Sequence, residues 1–206
     1  TVYFAHAMLE RAGRDIKGMR VSVSGSGNVA QYAIEKLMQL GAKPITCSDS
    51  SGTVIDEAGF TPEKLAILME IKNHYYGRVA EYAERVGARF EPNVRPWHVP
   101  VDVALPCATQ NELDANDAAT LVKNGVIAVA EGANMPTTTE ATQIFQQSGV
   151  LFAPGKAANA GGVATSALEM CQNSMRLSWT FDEVDQKLKR IMVNIFHNTA
   201  DTAKQY

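Results

Sequence analysis

A glycine pattern between a short apolar run and an amphipathic stretch most tightly constrains how this chain can fold. Residues 19–24 (MRVSVS) alternate apolar and small side chains as a strand does, and the pattern G-x-G-x-x-A follows from Gly25 to Ala30. Apolar side chains then recur at helical spacing as far as Gly41, which favours the left-handed end of a helix. A strand, a glycine turn and a helix in this order predict a turn that can bind phosphate.

Each small residue of the turn has a physical reason. Gly25 permits the tight turn, Gly27 lets the backbone approach a pyrophosphate without an intervening Cβ, and Ala30 allows close packing of helix on strand. An ordinary glycine turn is the alternative, because G-x-G-x-x-A also arises by chance. The strand before the turn and the helix after it favour dinucleotide binding.

Strands and helices alternate along the rest of the chain. Further strands are expected at residues 43–49, 101–105, 126–130 and 150–154. Helices are expected at residues 1–14, from Thr61-Pro62 to about Lys72, from about Gly77 to Val86, near Asp114, and after the capping-box pairs Thr137–Glu140 and Thr180–Glu183. Residues 50–60 are expected to form turns. This alternation predicts an α/β, doubly wound, Rossmann-like and mostly parallel sheet with helices on both faces and a helical C-terminal segment.

The length fits one domain. We expect residues 1–206 to form a single dinucleotide-binding domain, with a leading helix at 1–14, a core at 19–154 and C-terminal helices at 156–206. The first helix begins without a capping residue, which suggests that the chain is a fragment.

Composition argues against several classes of partner and site. The formal net charge of −3 gives no basic field for nucleic acid, and no apolar run approaches the roughly 18 residues that cross a bilayer. The cysteines, Cys47, Cys107 and Cys171, are odd in number and far apart, and the four histidines are scattered. We therefore expect no nucleic-acid or membrane partner, no metal site and a reducing, cytoplasmic location.

The second expected strand ends at an acidic residue that bears on the choice of coenzyme. Asp49 follows Gly25 at the spacing where a carboxylate usually accepts from the adenosine ribose, which favours NAD. Serines flank Asp49, and Lys72 and Arg78 lie downstream, where a folded loop could bring cations to the 2′-phosphate of NADP. The two cations are also consistent with solvated helix charges, so the sequence pattern leaves the choice open.

Polar residues follow three of the later strands. Residues 107–111 (CATQN), residues 131–134 (EGAN) and residues 156–163 (KAANAGGV) begin at the carboxyl ends of strands, where open α/β sheets bind ligands. Ordinary helix-capping chemistry by Asn and Thr is the alternative.

Five long blocks together resemble a known family. They are residues 17–37 (KGMRVSVSGSGNVAQYAIEKL), 48–54 (SDSSGTV), 104–113 (ALPCATQNEL), 130–138 (AEGANMPTT) and 152–170 (FAPGKAANAGGVATSALEM). Over nearly the whole chain they are similar to the C-terminal coenzyme domain of hexameric glutamate dehydrogenases, above all the bacterial NADP-dependent type. The resemblance implies interconversion of L-glutamate with 2-oxoglutarate and ammonia by hydride transfer, in a cytoplasmic homohexamer.

The resemblance also implies roles for particular residues. Asn28 would contact the coenzyme, Asn134 and Asn159 would lie near its nicotinamide end, and Lys72 and Arg78 would bind the 2′-phosphate of NADP. Ser166 would hydrogen-bond the side-chain carboxylate of the substrate, and Val163 would line the same pocket. With the motif residues, the expected coenzyme-binding set is Ser24, Gly25, Gly27, Asn28, Val29, Asp49, Ser50, Lys72, Arg78, Ala108, Thr109, Asn134 and Asn159.

In the family the catalytic lysine and the acid that handles protons belong to an N-terminal domain. We therefore expect no catalytic residue in this chain, and Lys156 is not assigned to that task. Two alternatives remain open: a dehydrogenase of another amino acid, against which the hydroxyl of Ser166 argues, and a non-catalytic nucleotide-binding module.

Overall fold

The computed structural model describes residues 1–205; residue 206, the last position of the expected C-terminal segment, lies outside the described part. The helices are α1 (Val2–Arg11), α2 (Asn28–Gln39), α3 (Pro62–Met69), α4 (Val79–Val86), α5 (Ala115–Lys123), α6 (Thr139–Gln147), α7 (Gly155–Ala158), α8 (Gly161–Met175) and α9 (Phe181–Gln205). The strands are β1 (Arg20–Val23), β2 (Lys43–Pro44), β3 (Thr46–Asp49), β4 (Gly52–Ile55), β5 (Arg89–Pro92), β6 (Val103–Leu105), β7 (Ala128–Ala130) and β8 (Leu151–Ala153).

Five strands form a parallel sheet in the order β2-β1-β6-β7-β8. The chain passes from β1 to β2 on one side and later returns to add β6 on the other side of β1. The strand order therefore reverses between β1 and β6, and ligands of open α/β sheets bind at such a switch point. The predicted doubly wound fold is confirmed.

Helices cover the sheet on both faces. Along β6 the side chains of Val103 and Leu105 belong to one apolar core, whereas Ala104 between them belongs to the other. The first core contains α1, α2 and α9, and the second contains α5 and α6. This alternation buries both faces of the sheet, which is why its strands are apolar at consecutive positions.

A second sheet was not predicted. Strands β3, β4 and β5 pair antiparallel in that order, and the prediction of turns for residues 50–60 is wrong where β4 lies. The prediction of one strand over residues 43–49 is also wrong, because the segment divides at Ile45 between the parallel sheet and the antiparallel one. A Cβ at Gly52 would collide with the carbonyl oxygen of Glu91 on β5, so this close pairing requires glycine.

Several helix boundaries differ from their predicted positions. The cap of α6 is Thr138, whose hydroxyl accepts from the N–H of Ala141, and not Thr137; three consecutive threonines hid the register. Helix α3 ends at Met69 and continues as a π-helical turn over Glu70–His74, and α4 begins at Val79 rather than at Gly77.

Four further helix-end predictions are confirmed, although the helix expected over residues 1–14 spans only Val2–Arg11. Asp114 forms a capping box with Asp117 at the start of α5, and the hydroxyl of Thr180 accepts from the N–H of Glu183 before α9. Gly41 and Gly87 adopt positive φ after α2 and α4.

The last two helices differ in their packing. Helix α9 packs against α1, and the ring of Phe196 meets that of Phe4 edge to face at 5.3 Å. Helix α8 has no buried residue. Among residues 1–205, no helix combines the length and the apolar character that crossing a bilayer demands.

Candidate functional site

A crevice of about 720 Å³ opens at the switch point between β1 and β6. The turn after β1, the end of β3 and the loop after β6 form its walls. Its lining comprises residues 25–29, 48–50, 93–95 and 107–109 together with Gly52 and Glu112. A cavity of this size and position can hold an extended ligand such as a nucleotide.

Gly25 is required by the fold of the turn itself. Its φ is +83°, and a Cβ there would lie 3.0 Å from the carbonyl oxygen of Cys107. The N–H of Gly25 donates to the Ser48 hydroxyl at 2.9 Å, and the N–H of Ser48 donates back to the Gly25 carbonyl at 3.0 Å. The turn is therefore fixed to both β3 and the loop after β6.

Gly27 has a different justification. Its φ of −84° is open to any residue, and a Cβ there would meet no atom of the described chain within 4 Å. Neither the backbone nor the packing requires glycine at this position. Gly27 is the N-cap of α2 and supplies no side-chain cap, so the first N–H groups of α2 face the crevice without a capping partner. This turn has the open cradle and the donors that a pyrophosphate needs.

Ser24 lies beneath the crevice. Its side chain is fully buried, and its hydroxyl accepts from the N–H of Cys107 at 2.8 Å. The structure thus gives Ser24 the task of holding the loop after β6 against the end of β1. It does not line the crevice.

Four protein donors already use the carboxylate of Asp49. One oxygen accepts from the N–H and the hydroxyl of Ser51, and the other accepts from the Lys72 ammonium at 3.1 Å and the Val79 N–H at 3.0 Å. Burial raises the pKa of Asp49, but hydrogen bonds from Ser51, Lys72 and Val79 outweigh this and hold the pKa below its ordinary value. A carboxylate accepts about four hydrogen bonds, so little capacity remains for a ribose hydroxyl.

Two cations lie beside the end of β3. Lys72 donates to Asp49 and, at 2.8 Å, to the carbonyl oxygen of Gly77, which leaves one ammonium N–H without an acceptor among residues 1–205. Arg78 donates from Nη1 to the Ser50 hydroxyl at 2.7 Å. Asp49 and Ser50 line the crevice, and Lys72 and Arg78 each bond to one of these two residues without lining the crevice themselves; Ser50, Lys72 and Arg78 together form the polar corner at the end of β3.

A second cavity, of about 600 Å³, adjoins the first. Val29, the loop after β6 and the loop after β7 enclose it. Five of the predicted coenzyme-binding residues line it: Val29, Ala108, Thr109, Asn134 and Asn159. Asn159 is oriented by a hydrogen bond from its Nδ2 to the Ala133 carbonyl at 3.1 Å.

The two predicted substrate residues lie apart from these cavities. Val163 and Ser166 are exposed on α8, and neither lines the crevice or its neighbour. The described part of the chain thus brings together a coenzyme-sized site but does not enclose a substrate.

Two buried acids shape the site: Glu112, which the sequence did not indicate, and Glu131, which it indicated only as part of residues 131–134. Glu112 accepts from the N–H groups of Ala108 and Thr109 at 2.9 and 3.3 Å. Burial raises the pKa of Glu112, and hydrogen bonds from Ala108, Ser24 and Thr109 oppose that shift only in part. Glu131 accepts from the N–H of Gly155 at 2.5 Å and joins the loops after β7 and β8. Glu131 directly follows β7, whereas Glu112 lies well beyond the end of β6 at Leu105 and had no such signal.

Comparison with known proteins places the chain in a family. The family model described as Glutamate/Leucine/Phenylalanine/Valine dehydrogenase matches residues 1–206. An NADP-specific glutamate dehydrogenase of Escherichia coli (strain K12) is 66% identical over 196 residues, which cover 95% of this chain and 44% of that protein. An NAD(P)-specific glutamate dehydrogenase of Xylanibacter ruminicola is 58% identical over 197 residues, with 96% and 44% covered.

A solved structure of a glutamate dehydrogenase also matches the fold of this chain. The crystal structure of Plasmodium falciparum glutamate dehydrogenase matches with a TM-score of 0.97 and 46% identity, over 100% of this chain and 44% of that one. This chain thus spans less than half the length of the relatives it matches. The resemblance read from the sequence is confirmed, and the chain belongs to the glutamate, leucine, phenylalanine and valine dehydrogenase family.

Proposed function

We propose that this chain is the coenzyme-binding half of a glutamate dehydrogenase that prefers NADP. The observation that carries the proposal is the corner at the end of β3, where Lys72 is held by Asp49 and Arg78 by Ser50. Both cations keep N–H groups that can donate to a ligand. The acceptor would be the 2′-phosphate, which NADP has and NAD lacks. The relatives named as NADP-specific support the same preference.

The two cavities match the two halves of such a coenzyme. The N–H groups at the start of α2 and the open surface over Gly27 would hold the pyrophosphate. Ser50, Lys72 and Arg78 would hold the 2′-phosphate, and Asn134 and Asn159 would lie beside the nicotinamide half. When bound, NADP supplies the nicotinamide ring that accepts or returns a hydride.

The environment of Asp49 argues against NAD as the preferred coenzyme. A carboxylate that selects NAD must be open to accept from the ribose hydroxyls. That of Asp49 instead binds Ser51, Lys72 and Val79. Asp49 would therefore act on the coenzyme by orienting Lys72.

The substrate would be L-glutamate, or 2-oxoglutarate with ammonia, bound between this domain and the part of the longer relatives that the chain does not span. Ser166 and Val163 on α8 would touch the far carboxylate of glutamate. No residue described here is assigned to proton transfer or to the α-carboxylate. We further propose a cytoplasmic homohexamer for the full-length enzyme; the three free cysteines of residues 1–205 support a reducing compartment.

Titration of the chain with NADPH and NADH tests the coenzyme assignment. Replacing Lys72 and Arg78 together by Ala should weaken NADPH binding by at least about 100-fold and NADH binding little, since charge-assisted contacts are worth about 1.5–3 kcal/mol each. Arg85→Ala is the matched control, because Arg85 lies on α4 but pairs with Glu70 and Glu81. Equal weakening of both coenzymes by the double change would rule out the 2′-phosphate corner.

A further inference from the structure

A buried side-chain amide links the two parts of the crevice that would meet phosphate. Gln31 on α2 is fully buried, and its Nε2 donates to the Ser26 carbonyl in the glycine turn at 2.7 Å. The same Nε2 donates to Asn73 Oδ1 at 3.0 Å, and Asn73 Nδ2 donates back to Gln31 Oε1 at 3.0 Å. The Gln31–Asn73 amide pair therefore joins the glycine turn to the segment that carries Lys72.

That segment is the π-helical turn Glu70–His74. Consecutive residues of the turn contact different elements: Lys72 meets Asp49 at the end of β3, and Asn73 meets Gln31 on α2. The turn is closed by the Tyr75 N–H, which donates to the Glu70 carbonyl at 3.3 Å, and the Gly77 N–H beyond it donates to the Ile71 carbonyl at 2.8 Å. The π-helical turn forms the C-terminal end of α3, where wide turns are common.

The buried Gln31 side chain has few other hydrogen-bond partners available. A buried amide must keep its hydrogen bonds, and Gln31 has the Ser26 carbonyl on one side and the exposed Asn73 on the other. Loss of Asn73 would remove both bonds that tie the π-helical turn to α2. Lys72 would keep its bond to Asp49, but the turn that carries it would lose its link to the glycine turn.

We propose that the Gln31–Asn73 amide pair is a positioning element that fixes Lys72 relative to the glycine turn and thereby helps to select a 2′-phosphorylated dinucleotide. The inference rests on the proposed function, since it concerns the same crevice. Asn73 acts through Lys72 and touches no coenzyme atom itself. Its removal therefore changes the discrimination between two coenzymes, which a merely structural contact would leave alone.

The test is a double-mutant cycle on the 206-residue chain, with dissociation constants for NADPH and NADH measured by titration. Asn73→Ala should lower the preference for NADPH over NADH by about three- to tenfold, the range expected for lost neutral hydrogen bonds. In a Lys72→Ala background the same change should leave the preference unaltered. His74→Ala is the matched control. His74 is an exposed residue of the same turn, and its ring meets that of Tyr75 edge to face.

Three outcomes would overturn the inference. Asn73→Ala could weaken both coenzymes equally, it could lower the preference equally with and without Lys72, or His74→Ala could match its effect. Asn73 is exposed, so the variant should fold, and thermal melting verifies this. A wild-type chain that binds neither coenzyme would refute the proposed function itself, which distinguishes that failure from the other three.

Discussion

The Lys72 ammonium lies 3.1 Å from the Asp49 carboxylate, and both side chains are largely buried at the end of β3. The acid that sequence position assigns to the ribose is thus the internal partner of the cation assigned to the 2′-phosphate. Asp49, which lines the crevice, holds the Lys72 ammonium beside it and offsets its charge.

Asp49→Asn tests whether Asp49 acts on the coenzyme through Lys72. The change weakens the hold on Lys72, so NADPH affinity should fall by about three- to tenfold, while NADH affinity should stay nearly constant. Fluorescence titration with each coenzyme measures both. A fall in NADH affinity as large as that for NADPH would mean that Asp49 contacts the ribose directly.

Asp49 should also make stability depend on pH in a defined direction. Its folded pKa lies below the ordinary value of 3.8, so the ionised carboxylate stabilises the fold above that pH and loses this effect as the pH falls through the folded pKa. The Tm difference between wild type and Asp49→Asn should be full near pH 7 and shrink below about pH 4. Comparing the two proteins cancels other acids, including Glu112, whose raised pKa acts in the opposite sense. A difference that is constant with pH would contradict the assignment.

Alanine substitution at the two glycines of the turn should affect different properties. Gly27→Ala meets open space and an ordinary backbone, so stability should change by less than about 0.5 kcal/mol, while coenzyme affinity falls about tenfold or more. Gly25→Ala forces a Cβ into positive φ against Cys107 and should cost roughly 1–2 kcal/mol or more of folding free energy. Thermal melts and NADPH titration separate the effects. Unchanged affinity in Gly27→Ala would remove the pyrophosphate from this turn.

Ser166 must be tested in a full-length enzyme carrying this domain. Ser166→Ala should raise the glutamate KM or lower kcat/KM by an amount worth roughly 0.5–2 kcal/mol, with coenzyme affinity unchanged. Ser174→Ala is the matched control, being an exposed serine on the same helix. Unaltered glutamate kinetics in the Ser166 variant would exclude Ser166 from the substrate pocket.

The sequence predicted the parts of the fold that have local signals. Gly25 and Gly27 between a strand of alternating apolar and small residues and an amphipathic helix identified the turn, and apolar runs identified β6, β7 and β8. Strand β2 was predicted only as part of a longer strand, because the break at Ile45 follows from pairing with a second sheet. That sheet joins residues 52–55 to residues 89–92, a distant pairing that no local pattern encodes.

The candidate site was predictable as residue types and not as contacts. Spacing identified Asp49 as a candidate, and the family resemblance favoured Lys72 and Arg78. Only the folded chain shows that the Asp49 carboxylate accepts from internal donors. Glu112 escaped notice because a lone acid carries no motif, although its carboxylate shapes the loop at Ala108 and Thr109. Assignment of the substrate residues stays a prediction, since neither Val163 nor Ser166 lines the crevice or the second cavity.

A crystal structure of the chain saturated with NADP would test directly whether the crevice binds this coenzyme with its 2′-phosphate at Lys72 and Arg78. We expect the pyrophosphate to lie against the first N–H groups of α2, over Gly27. We expect the 2′-phosphate to lie within hydrogen-bond distance of Ser50, Lys72 and Arg78. A coenzyme bound in this crevice with its 2′-phosphate directed away from Lys72 and Arg78, or one bound elsewhere on the chain, would contradict it.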